Sequence, residues 1–220
     1  MNPSQSVFEP LQTLTARALD LPGANIDTDQ IIPARFLKKN RAAGYGQYLF
    51  FDERFEDRLE DGFEERLDSH CTARADHPLN AKNSPQILVV QDNFGCGSSR
   101  EGAVYALVDY GIRVVVGTSF GDIFFNNCFK NGLLPIRLPL ADHLALRTDL
   151  SPFGSLTVDL VNQCVQGSGH RASFDIDPFA KACLLQGVDE VALTLGYEAQ
   201  ISAFENSYSQ RFPWLTPPVA

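Results

Sequence analysis

Strands and helices alternate between residues 86 and 138, and this alternation constrains the fold more than any other feature of the sequence. The expected order is a strand at 86–91, a helix at 103–110, a strand at 112–116, a helix ending at Phe129 and a strand at 133–138. Helices of about ten residues between apolar strands predict parallel pairing with right-handed crossover connections. We therefore expect a small parallel sheet with helices packed against it.

The segments on either side of this alternation predict further elements, including antiparallel β structure. These are a strand at 14–21, a helix at 139–147, a hairpin of strands 156–161 and 172–176, a helix from Asp177 to Gly187, and an amphipathic helix at 198–210. The hairpin is indicated by alternating apolar residues around a Gly-Ser-Gly turn. Together the elements predict a mixed α/β fold.

We interpret residues 1–220 as a single domain, because that length is ordinary for one domain. Residues 52–85 are expected to form an acidic surface insertion, since 52–68 hold nine acidic residues against three arginines. Within this insertion, apolar residues recur every fourth position from Phe55 to Leu67, a spacing that fits a helical stripe. Proline-rich residues 212–220 are expected to form a mobile tail.

Composition excludes several classes of function. A net charge of −9 and a pI of about 4.8 disfavour a nucleic-acid partner. The N-terminus lacks a secretory pattern, and no apolar run approaches the ~20 residues that cross a membrane, so a cytoplasmic location is expected. Five scattered cysteines without a Cys-x-x-Cys pair indicate reduced thiols and argue against an iron–sulfur or zinc site built by this chain alone.

The strand-to-helix junction at residues 91–102 carries the side chains best suited to chemistry. Its sequence is Gln-Asp-Asn-Phe-Gly-Cys-Gly-Ser-Ser-Arg-Glu-Gly. Gly95 and Gly97 permit a sharp bend and close approach of a ligand. The first turn of a helix offers unpaired N–H groups and a partial positive charge, and Arg100 adds a planar cation suited to a carboxylate or phosphate. The junction therefore predicts an anion-binding corner with a hydroxyl beside it.

A purely structural interpretation of the junction competes with that prediction. Ser98 and Glu101 fit a capping box, which needs no function, but this leaves Ser99 and Arg100 unexplained. Arg100 occupies the last glycine position of a dinucleotide fingerprint, and the nucleophile-elbow and Walker patterns do not fit. A phosphate- or nucleotide-binding module remains an alternative. The pattern favours proton abstraction beside a carboxylate held by an arginine.

Two stretches resemble the signatures of the small subunit of 3-isopropylmalate dehydratase, the counterpart of the aconitase superfamily's swivelling domain. They read Asn25-Ile-Asp-Thr-Asp-Gln-Ile-Ile-Pro-Ala-Arg-Phe-Leu37 and Asn93-Phe-Gly-Cys-Gly-Ser-Ser-Arg-Glu101. The resemblance covers roughly residues 8–200. It implies a swivelling β/β/α three-layer domain with a parallel central sheet plus antiparallel β structure.

The resemblance also implies an activity. Members of this family are hydro-lyases that move a hydroxyl group between neighbouring carbons of a hydroxy-dicarboxylic acid through an alkene. For this family the acids are 2-isopropylmalate and 3-isopropylmalate, in leucine biosynthesis. Residue-by-residue matching implies Ser98 as the general base, acting as an alkoxide, and Ser99 and Arg100 as contacts to substrate carboxylate. Because free serine is a very weak acid, dipoles and a nearby cation would have to stabilise its oxyanion.

The same matching extends to further substrate-binding residues. It implies that Asp29 orients a partner in the site and that Gly97 belongs to the substrate-binding set. Arg35 or Lys38 would be a second carboxylate contact; the alternative for both is a solvated basic turn. Cys96 is interpreted as a small packing residue rather than a metal ligand or redox group.

The resemblance places a [4Fe–4S] cluster on a separate large subunit, where it takes the leaving hydroxyl as a Lewis acid. No cofactor is therefore expected on this chain, which would act in a heterodimer or heterotetramer. Gly102 departs from the family pattern, because members commonly have histidine there. This departure leaves open a different small hydroxy-diacid, such as a methyl-substituted malate, citraconate or homoaconitate. A structural subunit without catalytic residues is a further alternative.

Overall fold

The computed structural model of the chain describes residues 7–57, 71–81, 84–148, 150 and 153–215. The strands are β1 Thr13–Asp20, β2 Phe55–Asp57, β3 Cys71–Ala73, β4 Ile87–Val89, β5 Val114–Gly117, β6 Leu134–Arg137, β7 Phe153–Asp159, β8 Cys164–Gln166 and β9 Arg171–Ser173. The helices are α1 Thr28–Ile31, α2 Phe51–Arg54, α3 Glu101–Tyr110, α4 Asp122–Lys130, α5 Leu140–Thr148, α6 Pro178–Gln186, α7 Glu190–Leu195 and α8 Glu198–Arg211.

Seven strands form one mixed sheet in the order β6-β5-β4-β1-β7-β8-β9. Strands β6, β5, β4 and β1 run parallel, with Val114 opposite Ile87 on one side and Leu134 on the other. Strand β1 also pairs antiparallel with β7 over seven residues, and β8 and β9 continue the antiparallel half. The predicted α/β fold, a parallel sheet extended by antiparallel strands, is confirmed.

The parallel strands are short and apolar because helices cover both of their faces. Leu88 joins one core cluster with residues of α1, α3 and α4, whereas its neighbours Ile87 and Val89 join a second cluster with residues of α5 and α6. Successive side chains on a strand point to opposite faces, so this split follows from the pleat. Side chains of β7, β8 and β9, including Val158 and Val165, also lie in the second cluster.

Helix α3 begins later than the capping box of Ser98 and Glu101 predicts. Its N-cap is Arg100, which makes no capping hydrogen bond through its side chain. Glu101 instead accepts a hydrogen bond from Nδ2 of Asn131 at 2.9 Å. The capping-box interpretation is therefore wrong, and the Ser98 hydroxyl, two residues before the N-cap, is not committed to the helix.

The described ends of residues 52–85 are anchored to the core. Phe55 opens strand β2, which pairs antiparallel with β3, so the helical stripe does not begin there. Arg54 is buried and donates hydrogen bonds to the Leu49 carbonyl and to Oδ1 of Asn80, both at 2.9 Å. The acidic middle of the expected surface insertion, residues 58–70, lies outside the described residues.

The C-terminal third follows the expected order with two additions. Asp177 caps α6 by accepting hydrogen bonds from the backbone N–H groups of Phe179 and Ala180, as predicted. Strand β8 and helix α7 were not predicted, and β7, β8 and β9 form a meander instead of a single hairpin. Of the expected mobile tail, residues 216–220 lie outside the described part of the chain. No helix in that part is long and apolar enough to cross a membrane.

Candidate active site

The junction between β4 and α3 is folded against the segment that joins β1 to α1. The backbone N–H of Gly95 donates to the Ile26 carbonyl at 2.7 Å, and that of Thr28 donates to the Cys96 carbonyl at 3.0 Å. The hydroxyl of Thr28 donates to the Ser98 carbonyl at 3.0 Å. These bonds join two stretches about 70 residues apart in sequence and fix the backbone that carries Ser98.

A capping box at the start of α1 fixes the other half of this contact. Oδ1 of Asp27 accepts from the backbone N–H of Gln30 at 2.8 Å, and the Asp27 N–H donates to Oε1 of Gln30 at 3.0 Å. This reciprocal pair holds the four-residue helix that carries Asp29. Sequence reasoning missed it, although the signal, Asp-x-x-Gln, is present in the sequence.

Gly95 is the one glycine of the junction at which a positive φ and tight packing both disfavour a side chain. Its φ is +71°, and a Cβ would lie 2.3 Å from Cγ of Phe124. That ring is fixed by Phe94 at 5.4 Å and Phe120 at 6.4 Å between centroids. Gly97 also has a positive φ, +92°, but a Cβ there would make only ordinary contacts. The sharp bend before Ser98 thus depends on both glycines for different reasons.

The two serines stand on the surface beside the start of α3. Ser98 and Ser99 are exposed, and Arg100 is half-buried. The side chain of the N-cap residue, Arg100, does not cap the first turn of α3, whose N–H groups are a source of positive potential. An anion can approach the serines from solvent with these N–H groups and a guanidinium close by.

Arg100 is held by the other signature stretch. Its Nη1 donates to Oδ1 of Asp29 in an ion pair whose side chains are 20% and 51% exposed. A guanidinium carries five N–H donors, so one bond to Asp29 leaves donors for a bound carboxylate. The structure brings Asp29, Thr28, Ser98 and Arg100 together, and the side chain that Asp29 contacts is that of Arg100.

Arg35 and Lys38 lie on the 3-10 turn Ala34–Lys38 that follows α1. Nη1 of Arg35 donates to Oδ2 of Asp52 at 3.0 Å, Nη2 donates to Oδ1, and the guanidinium lies 4.7 Å from the Phe36 ring centroid. Lys38 is exposed. Arg35 is therefore engaged in an ion pair that also holds the start of α2.

The side chain of Leu37, on the turn Ala34–Lys38, occupies the space that a side chain at position 102 would need. Gly102 is buried in the first turn of α3, and a Cβ there would lie 2.5 Å from Cδ2 of Leu37. The space beside the helix is thus filled by Leu37. The carbonyl of Leu37 accepts a hydrogen bond from the hydroxyl of Tyr45 at 3.2 Å, which fixes the backbone of the turn.

The thiols of this chain do not form the donor set that an iron–sulfur cluster requires. Cys128, Cys164 and Cys183 are buried, Cys71 and Cys96 are half-buried, and burial raises the pKa of Cys128 well above its usual value. Among the residues described, no group of three or more His, Cys, Asp or Glu could hold a metal ion. The Cys96 thiol donates to the Asn25 carbonyl at 3.5 Å, a contact that fits a packing residue.

A large groove of the described structure lies elsewhere. It has a volume of about 1170 Å³ and runs between α4, α5 and α6, beside Phe125, Phe129 and Phe179. None of the junction residues lines it. The side chains of the candidate site therefore lie outside this groove, on an exposed corner of the described structure.

Comparisons with known proteins match these features. A family model described as the aconitase C-terminal domain matches residues 8–141, and one described as the C-terminal domain of the 3-isopropylmalate dehydratase small subunit matches residues 190–218. The crystal structure of a 3-isopropylmalate dehydratase chain from Methanocaldococcus jannaschii covers 87% of this chain and 99% of its own, with a TM-score of 0.63 and 22% identity. That likeness shows that the fold is shared.

Relatives found by sequence share more residues with this chain than that crystal structure does, with identities of 44–47%. The small subunit of 3-isopropylmalate dehydratase from Paramagnetospirillum magneticum is 47% identical over 94% of this chain and 100% of its own length. That of Aromatoleum aromaticum is 44% identical over 94% and 98%, and that of Halalkalibacterium halodurans is 47% identical over 91% and 99%. The chain therefore belongs to the aconitase C-terminal domain family and, within it, to the 3-isopropylmalate dehydratase small subunits.

Proposed function

We propose that this chain is the small subunit of a 3-isopropylmalate dehydratase, a hydro-lyase that interconverts 2-isopropylmalate and 3-isopropylmalate in leucine biosynthesis. Its relatives at 44–47% identity carry that name over nearly their full length. The single observation that carries the proposal is the junction itself. There the Thr28 hydroxyl bonds the Ser98 carbonyl and Asp29 pairs with Arg100, so both signature stretches supply one corner.

Ser98 is proposed as the general base that removes a proton from the carbon next to a substrate carboxylate. Its hydroxyl is exposed and free of the helix cap, and it stands beside the N-terminus of α3. Oxyanions are stabilised by N–H dipoles and by a nearby cation in a preorganised site. Gly97 and Thr28 support this role by fixing the backbone on either side of the serine.

Substrate carboxylate is proposed to bind Ser99 and Arg100, with the Gly97 backbone beside them. Asp29 keeps the guanidinium of Arg100 in position before substrate arrives, which lowers the entropy lost on binding. Arg35 or Lys38 would provide the second carboxylate contact. Arg35 would have to exchange Asp52 for substrate, whereas Lys38 is exposed.

The large subunit is proposed to complete the site in a cytoplasmic heterodimer or heterotetramer. A [4Fe–4S] cluster on that subunit would supply the Lewis acid for the substrate hydroxyl, since the thiols described here do not fit one. The open corner of this chain supports a site closed by a second protein surface. We also propose that residues 1–220 act as one swivelling domain of that assembly, with the acidic residues 52–85 at its surface and 212–220 as a mobile tail.

Reconstitution with the large subunit tests this function. The holoenzyme is assayed anaerobically with 3-isopropylmalate, a methyl-substituted malate, citraconate and homoaconitate. Because Gly102 replaces the histidine common in the family, the comparison of kcat/KM across these acids is the informative readout. We expect 3-isopropylmalate to give the highest value. A higher value for another acid would move the assignment to that substrate, and no turnover with any would overturn the proposal.

A further inference from the structure

The last part of the described chain is not packed into the core. We call residues 190–215, which comprise α7, α8 and the four residues after them, the C-terminal arm. Neither helix contains a buried residue. Yet the arm carries large apolar side chains, among which Phe204 is 64% and Trp214 is 74% exposed. An apolar surface of this kind usually marks an interaction site.

The exposed side chains of the arm are arranged and not scattered. Tyr197, Ile201, Phe204 and Tyr208 follow one another at intervals of four, three and four residues. At 100° per residue these positions fall within about 60° of the helix circumference. The rings of Phe204 and Tyr208 stack at 5.6 Å, and Phe212 continues the row at 4.9 Å from Tyr208. The row is a preformed apolar stripe.

The family models separate this arm from the domain that carries the chemistry. The aconitase C-terminal domain model ends at residue 141, and the model for the C-terminal domain of the small subunit begins at residue 190. Ser98, Arg100 and Asp29 all lie in the first region. The arm therefore lies outside the domain that carries the candidate site, in the segment whose family model is specific to the small subunit.

We propose that the C-terminal arm docks its apolar stripe into an apolar groove of the large subunit. This inference rests on the proposed function, because it needs that partner. Glu198 and Glu205 lie seven residues apart along one border of the stripe. The groove is accordingly expected to carry basic side chains along the matching edge.

Charge argues against the other occupants of the stripe. A second copy of this chain would bring an equal net charge of −9 to the contact. The groove between α4, α5 and α6 of the chain itself presents acidic side chains as well, namely Asp142, Asp175, Asp177 and Asp189, against Lys130 and Arg137. An acidic arm fits neither surface as well as it fits a groove with a basic border.

A pair of matched variants tests the docking. The stripe variant carries Ile201→Gln, Phe204→Gln and Tyr208→Gln. The control carries Ala199→Gln, Ser202→Gln and Asn206→Gln, which have the same spacing on the opposite, exposed face of α8. Binding of each full-length chain to the purified large subunit is measured by titration calorimetry. Sedimentation and thermal unfolding of each chain alone are measured alongside.

We expect the stripe variant to raise the Kd for the large subunit about 100-fold, as the loss of central aromatic anchors does, and the control to change it less than threefold. The Tm and the sedimentation coefficient of the isolated chain should not change. Equal Kd values for the stripe variant and wild type would overturn the inference. A stripe-dependent self-association would assign the stripe to a second copy, and a stripe-dependent fall in Tm to the chain's own groove; either would also overturn it.

The same measurements separate this inference from the proposed function. If the wild-type chain gives turnover with the large subunit and the stripe variant binds normally, the docking inference fails and the function stands. If wild-type chain and large subunit bind each other without turnover of any diacid, the proposed function fails instead.

Discussion

Replacing Gly95 with alanine should destabilise the chain much more than the same replacement at Gly97. Both glycines have a positive φ, of +71° and +92°, so both variants suffer the left-handed penalty. Only at Gly95 does the new Cβ meet a ring, with Cγ, Cδ1 and Cδ2 of Phe124 at 2.3–2.7 Å. At Gly97 the nearest atoms are Cβ of Asp27 at 3.5 Å and Oγ1 of Thr28 at 3.7 Å.

The magnitudes follow from these two terms. A left-handed alanine costs about 1–2 kcal/mol. Overpacking a rigid core adds about 1–3 kcal/mol, and Phe124 has little room to yield because it is 3% exposed and in contact with Phe94 and Phe120. The free energy of unfolding should therefore fall by about 1–2 kcal/mol for Gly97→Ala and by about 2–5 kcal/mol for Gly95→Ala. For a chain of this size, the difference of about 2 kcal/mol is about 4–8 °C in Tm.

Thermal and urea unfolding followed by circular dichroism measure both variants against wild type. A third variant, Gly95→Ala with Phe124→Leu, provides the control, because it removes most of the ring that the new Cβ meets. Its loss of stability should be smaller than the sum of the losses measured for Gly95→Ala and for Phe124→Leu as single variants. Equal Tm values for Gly95→Ala and Gly97→Ala would refute the packing argument.

Three further predictions concern two side chains of helix α5 and the ion pair between Asp29 and Arg100. Arg147 binds Asp20 through Nε and Nη2 at 2.7 and 2.9 Å; Arg147→Ala should lower the free energy of unfolding by about 2 kcal/mol in urea, and an Arg147→Lys variant as stable as wild type would contradict a role for the fork. Burial lowers the pKa of His143, so the unfolded chain takes up this proton at higher pH than the folded chain. Stability is therefore full above about pH 6.5 and falls as the pH drops below it; His143→Gln should flatten this fall in Tm, and an unchanged slope would contradict the assignment. Asp29→Asn removes the charged partner of Arg100 and should lower kcat/KM of the reconstituted enzyme by about 10–100-fold; unchanged kinetics would show that the pair is dispensable.

The sheet and its covering helices could be predicted because their signals are local. The apolar run of β4 and the β-branched run of β5 can each be recognised from a few residues, and helix α3 between them is long enough to show an apolar stripe. Strand β8 and helix α7 span only three and six residues. Elements that short can be recognised only when, like β4, they form a continuous apolar run; otherwise only their pairing and packing define them.

The start of α3 could not be predicted, because tertiary contacts outweigh a local pattern there. Ser98 and Glu101 offer a capping box, but the Ser98 carbonyl is held by the Thr28 hydroxyl and Glu101 is bound by Asn131. Partners about 70 and 30 residues distant decide where the helix begins. A motif read from a single stretch contains no information about either partner.

The candidate site was predicted residue by residue, but its internal contacts were not. The resemblance supplied Ser98, Arg100 and Asp29, whereas the ion pair between the last two joins residues 71 apart in sequence. The Thr28 hydroxyl was missed altogether because its role depends on that same long-range contact. The roles of Ser98, Ser99, Gly97, Arg35 and Lys38 in catalysis and binding stay predictions.

Turnover of 3-isopropylmalate by Ser98→Ala, reconstituted with the large subunit, tests the central claim most directly. Because Ser98 is exposed and makes its backbone contact through a carbonyl, the variant should fold and bind the large subunit with an unchanged Kd. Ser99→Ala serves as the neighbouring control and should raise KM more than it lowers kcat. We predict that kcat for Ser98→Ala falls by at least about 1000-fold, the scale expected when a general base is removed. A kcat within tenfold of wild type, at an unchanged Kd for the large subunit, would contradict the account.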